Sequence, residues 1–228
     1  MKIGGLIKFS LIDFPGKIAA VIFVQGCNFR CPYCHNPELV DPKSYSALIH
    51  EEEVLDFLNK RRGQLGGVVI TGGEPTLQLD LLPFSLNVKN MGYALKLDTN
   101  GSRPEVIQAL IDQNVLDYIA MDIKAPFVKY FDVAGVDNFA DNVKQSIEII
   151  KDSALDYEFR TTFIPGLMTE NDIVEIAEMI KGAKRYKLQL FNVDKKNILD
   201  DNLRGNAPSQ EEIKQFEIIK KKYEKDFK

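Results

Sequence analysis

The sequence predicts an α/β protein built as a partial (β/α)6 barrel, and three observations carry that expectation. Short apolar runs alternate with stretches of helical periodicity between residues 18 and 191. Polar residues suited to chemistry follow the end of every run. No repeat, low-complexity tract or Pro/Gly-rich linker interrupts the 228 residues, so a single domain is expected over 1–228.

The elements follow in order. Strand 18–24 is the longest uninterrupted apolar run, and helix 51–62 comes after it. Strand 67–71 leads to helix 77–91, strand 93–98 to helix 103–113, and strand 117–122 to helix 138–151. Strand 157–163 leads to helix 171–181, and strand 185–191 closes the series. Gly, Pro and Asn punctuate the joins. Strands that alternate with helices run parallel through right-handed crossovers. The stretch 3–9 adds an edge strand. A last amphipathic helix, 209–226, opens at Ser209 with Glu212 three residues on, a capping-box pattern. The barrel core is expected over about 17–192.

A doubly wound sheet also fits this alternation, but it gathers its ligand at one switch point. A barrel spreads its chemistry over the C-terminal ends of many strands. Here the cysteine loop follows the first strand, Gly72-Gly73-Glu74-Pro75 the second and Asp98-Thr99-Asn100-Gly101 the third. Asp122-Ile123-Lys124 ends the fourth, Thr161 to Gly166 the fifth, and Gln189 to Asn192 the sixth. Six loaded ends favour the barrel.

Hydrophobic residues make up 45% of the chain and charged residues 27%, which excludes wholesale disorder and a coiled coil. A net charge of −4 and a pI near 5.4 argue against a nucleic-acid-binding surface. The run Ile18 to Val24 falls far short of the ~20 apolar residues that span a bilayer. The N-terminal stretch has no secretory h-region, so a cytoplasmic protein without membrane association is expected.

All three cysteines, Cys27, Cys31 and Cys34, lie in GCNFRCPYC, a C-x3-C-x2-C spacing. An odd number in one short loop is no disulfide framework. Thiolates gathered this closely repel one another, so such a cluster usually holds something positive. Zinc wants four closed ligands and would have to borrow one, since His35 adjoins Cys34 and His50 is distant. A [4Fe–4S] cluster also normally takes four cysteines, so three would leave one iron open for chemistry. Three incidental buried cysteines are the bland alternative.

The segment CNFRCPYC resembles the signature of radical S-adenosylmethionine enzymes, including an aromatic, Tyr33, before the third cysteine. The resemblance implies one [4Fe–4S] cluster on Cys27, Cys31 and Cys34, whose open iron is chelated by the methionine end of S-adenosylmethionine. It implies that the bound cofactor yields a 5′-deoxyadenosyl radical, and that the fold is a partial barrel. It further implies that the Tyr33 carbonyl meets the adenine and that Gly72, Gly73 and Glu74 receive the methionyl ammonium. Asp98 and Thr99 would lie beside the cofactor. Asp122 and Lys124 would touch its carboxylate or an associated monovalent cation. Arg160, Thr161 and Thr162 would line the sulfonium and adenine pocket, with Asn192 closing the adenine side. His35 reads as a local hydrogen-bonding residue rather than a ligand.

The leader IGGLIKFSLIDFPGK, the CHNP element and DTNG resemble the activating enzymes of glycyl-radical proteins, above all those of anaerobic ribonucleoside-triphosphate reductases. That resemblance implies a glycyl-radical enzyme as protein substrate and reduced flavodoxin or ferredoxin as electron donor. Activating enzymes of pyruvate formate-lyase share the Asp-x-Pro-Gly, CHNP and DTNG elements, and a 7-carboxy-7-deazaguanine synthase would keep the cofactor while changing the substrate. No further cysteine is present to hold a second cluster.

Overall fold

The computed structural model describes residues 1–191, 198–200, 203 and 207–227. At its centre lies one seven-stranded sheet whose strands follow chain order: β1 (Ile3–Ser10), β2 (Ala19–Val24), β3 (Gly67–Gly72), β4 (Ala94–Thr99), β5 (Tyr118–Asp122), β6 (Asp156–Phe163) and β7 (Tyr186–Leu190). The first pair is antiparallel and all later pairs are parallel. Because the order never reverses, the sheet has no switch point, and each crossover advances it the same way, as in a barrel. No ladder joins β7 to β1 among the described residues, so the barrel stays open.

The connecting helices are α1 (Pro37–Val40), α2 (Glu51–Lys60), α3 (Leu81–Asn90), α4 (Pro104–Asp112), α5 (Tyr130–Ala134), α6 (Ala140–Asp152), α7 (Glu170–Met179) and α8 (Gln210–Tyr223). Two of these, α1 and α5, are too short to leave a periodic trace in the sequence. The helix expected over 77–91 begins only at Leu81, because Pro75–Leu77 forms a 3-10 turn held by Glu74, whose side chain accepts from the Thr76 amide. At α8 the capping box forms as its pattern predicts: Ser209 Oγ accepts from Glu212 N at 3.2 Å, and Glu212 Oε2 accepts from Ser209 N at 2.7 Å. No helix among the described residues is long and apolar enough to cross a membrane.

The pleat gives the sheet two unlike faces. Ile22, Ile70, Leu97, Met121 and Phe159 point outward and are buried with Leu58 of α2, Phe84 of α3 and Ile107 of α4. Each such side chain contributes about 1.5–3 kcal/mol by leaving water. The opposite face starts apolar, with Ala19, Val21, Val69 and Ala120 packed around Phe14 and Tyr118. Toward the C-terminal ends of the strands it becomes charged: Lys96 and Asp98 on β4, Asp122 on β5, Glu158 and Arg160 on β6.

At the end of β3 the chain passes close to its neighbour. Gly72 has φ +112°, and a Cβ there would lie 2.5 Å from the Val24 nitrogen. A Cβ on Gly73 would lie 2.1 Å from the Gly26 carbonyl oxygen, just before the first cysteine. The paired glycines therefore let the second loop press against the cysteine loop. Gly73→Ala is expected to lower unfolding free energy by about 2–4 kcal/mol in denaturant titration. Gly5→Ala, where the added methyl meets only ordinary contacts at 3.6 Å, is expected to change it by less than about 1 kcal/mol.

Candidate functional site

The C-terminal ends of the parallel strands open into one cleft of about 230 Å3. Its walls include all three cysteines, Tyr33, the Gly72-Gly73-Glu74 turn, Asp98 and Thr99, Asp122 and Lys124, and Thr162. With Gln189 at the end of β7, residues from all six parallel strand ends thus meet at one place. Asn192 falls outside the described residues.

The cysteine loop is built from its own backbone outward. Cys34 N donates to Cys31 O at 3.0 Å, a tight turn that brings these two residues together. The Arg30 guanidinium donates to the carbonyls of Cys27 and Phe29, both at 2.7 Å, and folds back over the loop. Arg30 N donates to Ala134 O at 3.0 Å, tying the loop to the end of α5. Phe29 packs edge-on against Tyr130 with ring centroids 6.2 Å apart. Asp200 N donates to Pro32 O at 2.9 Å from the far side. The short helix α5, invisible in the sequence pattern, is thus part of what shapes this loop.

The three sulfurs are free thiols in a poor solvent for charge. Burial, with Glu74 next in effect, pushes Cys27 up to about 12, and burial pushes Cys31 up to about 11. Cys34 is raised for the same first reason, and Lys124 pulls all three back toward ionisation. Thiols of this kind become thiolates only when a cation joins them, so the donor set suits a metal group. Among the described residues no three His, Cys, Asp or Glu side chains close on a single ion. A [4Fe–4S] cluster instead offers each thiolate an iron of its own. The Tyr33 hydroxyl is buried without a hydrogen-bond partner of good geometry, beside the Cys31 sulfur.

Glu74 departs from its expected part. Its side chain is fully buried, and both oxygens are taken by the chain itself. Oε1 accepts from Thr76 N at 3.0 Å and from the hydroxyls of Thr76 at 2.5 Å and Thr99 at 2.8 Å. Oε2 accepts from Asn100 N at 2.7 Å. The carboxylate is a clasp between the second and third strand ends rather than an open anion, and the Thr99 hydroxyl is consumed by the same clasp. Burial still holds its carboxyl above the usual range despite these four donors. Asn100 Nδ2 then donates to Asn28 Oδ1 at 3.0 Å, linking the clasp to the cysteine loop.

Across the cleft, Arg160 joins two carboxylates. Its Nε donates to Asp122 Oδ1 at 2.8 Å and its Nη1 to Asp98 Oδ2 at 3.2 Å. Strand register explains the first contact, since Arg160 lies beside Asp122. Lys124 Nζ donates to Asp122 Oδ2 at 2.9 Å. Burial alone would raise the Asp122 carboxyl, but Arg160 and Lys124 outweigh it and hold the group well below the usual carboxylate range.

Thr161, expected with its neighbours at the pocket, turns the other way: β-strand alternation points its hydroxyl to Ile123 O at 2.8 Å on the helix-facing side. Thr162 and its register partner Gln189 line the cleft. His35 stacks on Phe191, ring centroids 5.5 Å apart. Lys96 was missed by sequence reasoning. Its signal was the alternation in Leu95-Lys96-Leu97-Asp98, which sets Lys96 on the same face as Asp98.

A family model described as the radical SAM superfamily matches residues 21–181. A Methanocaldococcus jannaschii protein named as a glycyl-radical enzyme activating enzyme is 36% identical over 97% of this chain and 92% of its own. The pyruvate formate-lyase-activating enzyme of Streptococcus mutans is 31% identical over 82% of this chain and 76% of its own. Among solved structures, SuiB of Streptococcus suis bound to S-adenosylmethionine superposes with a TM-score of 0.58 at 14% identity, covering 73% of this chain and 38% of that one. With the family model spanning the cysteine loop, β2 from Val21 and all of β3 to β6, and with the 36% identical relative covered over nearly its whole length, the chain belongs to the radical S-adenosylmethionine superfamily and, within it, to the glycyl-radical enzyme activating enzymes.

Proposed function

We propose that this chain activates an anaerobic ribonucleoside-triphosphate reductase by installing a glycyl radical on it. The observation that carries the reading is a trio of thiols, alone in the sequence, one buried and two half-buried, at the mouth of an open barrel whose other strand ends present polar side chains. The whole leader IGGLIKFSLIDFPGK taken together with DTNG supports the reductase as target by resemblance, while its Asp13-Phe14-Pro15-Gly16 element is common to both candidate families. Pyruvate formate-lyase is the second reading, favoured by the 31% identity to its Streptococcus mutans activating enzyme.

Cys27, Cys31 and Cys34 would hold the [4Fe–4S] cluster, and the chain around them supplies the rest. When bound, the cluster and S-adenosylmethionine supply a 5′-deoxyadenosyl radical able to take a Cα hydrogen from a glycine of the partner. Lys124 favours the thiolate form of all three cysteines, lowering the cost of charging them in a buried loop. The backbone at Gly72 and Gly73 receives the methionyl ammonium, while the Glu74 clasp fixes that backbone against the Asp98-Thr99-Asn100 turn. Lys124 and Arg160 attract the methionyl carboxylate. Tyr33 and Thr162 enclose the adenosyl group. The open side of the barrel admits a peptide loop of the partner, and reduced flavodoxin or ferredoxin delivers the electron from outside.

The anaerobically loaded, reduced protein should release 5′-deoxyadenosine from S-adenosylmethionine, and Cys27→Ala, Cys31→Ala and Cys34→Ala should each abolish that release. Undiminished release from any one of them contradicts the cluster assignment. Before loading, Cys27 and Cys31, pushed up to about 12 and about 11, should alkylate at pH 8 at least about tenfold more slowly than free cysteine. Their folded values exceed the unfolded value of about 8.5, so the stability they lend is intact below that pH and falls as pH rises beyond it. Thermal melts of the cluster-free protein between pH 8 and 11 check the sign. Electron paramagnetic resonance after mixing the loaded protein with each candidate partner should give a glycyl signal with the reductase and none with pyruvate formate-lyase; the reverse pattern selects the second reading.

A further inference from the structure

Lys96 stands directly beneath Asp98 on the inner face of β4, with only 3% of its side chain exposed. Its Nζ donates to Asp98 Oδ1 at 2.5 Å. The other oxygen of Asp98 is bonded to Arg160, and the two oxygens of Asp122 are bonded to Arg160 and Lys124. All four carboxylate oxygens facing this part of the cleft therefore already have a cationic partner from the chain. Asp98 and Asp122 meet three cations, and the buried Glu158 beside Arg160 is itself paired with Lys187, so four cations face three carboxylates and the group is one unit positive.

That arrangement is a poor host for an alkali-metal ion. Such an ion binds by collecting several oxygen atoms with surplus negative charge, and here it would have to displace an ammonium and approach a net positive cluster. Lys96 is also held where it is. It lies beside Tyr118 in the strand register, and its Nζ sits 5.9 Å from the centre of that ring. Tyr118 donates to Glu158 Oε2 at 3.0 Å and packs on Phe14 with centroids 6.1 Å apart. The ammonium is thus fixed by a carboxylate above and an anchored aromatic ring beside it.

We propose that Lys96 is a built-in cation: its ammonium fills the place that a sodium or potassium ion would take beside Asp98, so cofactor binding by this chain needs no added alkali metal. The inference rests on the S-adenosylmethionine-binding reading above and replaces the monovalent cation expected from the sequence. Lys96 acts as a positioning residue: it neutralises and orients Asp98 without touching the cofactor.

The test uses cluster-loaded protein and labelled S-adenosylmethionine in anaerobic equilibrium dialysis, in choline, sodium and potassium chlorides at equal ionic strength. The wild-type dissociation constant should agree across the three salts within about twofold. In Lys96→Met the affinity should fall by about tenfold in choline chloride and recover in sodium or potassium chloride. A wild-type protein that binds in potassium but loses about tenfold in choline overturns the proposal, as does a Lys96→Met protein with equal affinity in all three salts. A second readout needs no S-adenosylmethionine: the melting temperature of loaded Lys96→Met should rise when potassium replaces choline, whereas the wild type should not respond. Wild-type melting that shifts with potassium counts against the built-in cation. Absence of wild-type binding in every salt overturns the cofactor reading and this inference together, and is distinguished from the other outcomes by the lack of any bound label.

Discussion

A buried sulfur cannot carry charge by itself. Three thiols lie in one loop at the mouth of an open barrel, and burial drives their proton affinity upward. The rest of the site answers that constraint. Lys124 provides a positive charge from the end of β5, the Arg30 guanidinium ties down the loop's carbonyls, and the backbone is fastened to α5 and to the two neighbouring turns. A loop so braced is organised for a metal group before the group arrives, so less ordering has to be done when it binds.

The inner face of the sheet extends the same balance. A parallel sheet normally buries apolar side chains on both faces, and here the lower half of the inner face does so around Phe14. The upper half carries alternating charges that pair among themselves: Lys96 with Asp98, Arg160 with Asp98 and Asp122, Lys124 with Asp122, and Lys187 with Glu158. Breaking one partner of a buried pair costs about 3–5 kcal/mol because it strands the other charge. The network therefore holds its geometry stiffly, and a zwitterionic, sulfonium-bearing ligand enters a cleft whose charges are already oriented.

Most of the architecture was legible in the sequence. The pleat of each strand and its crossover helix leave strong periodic patterns, and all six expected parallel strands form within one or two residues of their expected bounds. The cysteine spacing was legible because iron–sulfur chemistry restricts it so tightly. Less visible were features set by three-dimensional neighbours. Whether Gly73 is small for a ligand or for the chain depends on Gly26, 47 residues away in sequence, and only the structure brings the two together. Glu74 reads as an open anion until Thr99 and Asn100 are folded onto it. Thr161 and Thr162 are chemically alike, and only strand phase separates the buried fastener from the residue in the cleft. Lys96 was overlooked because a lysine inside a strand usually reads as solvated.

Three thiolates on a four-iron cluster would leave one iron for S-adenosylmethionine. Mössbauer spectroscopy of protein loaded with isotopically enriched iron tests it most directly. One iron should differ from the other three, and its signal should shift when S-adenosylmethionine is added. Four irons indifferent to the cofactor, or no cluster at all, would contradict the account.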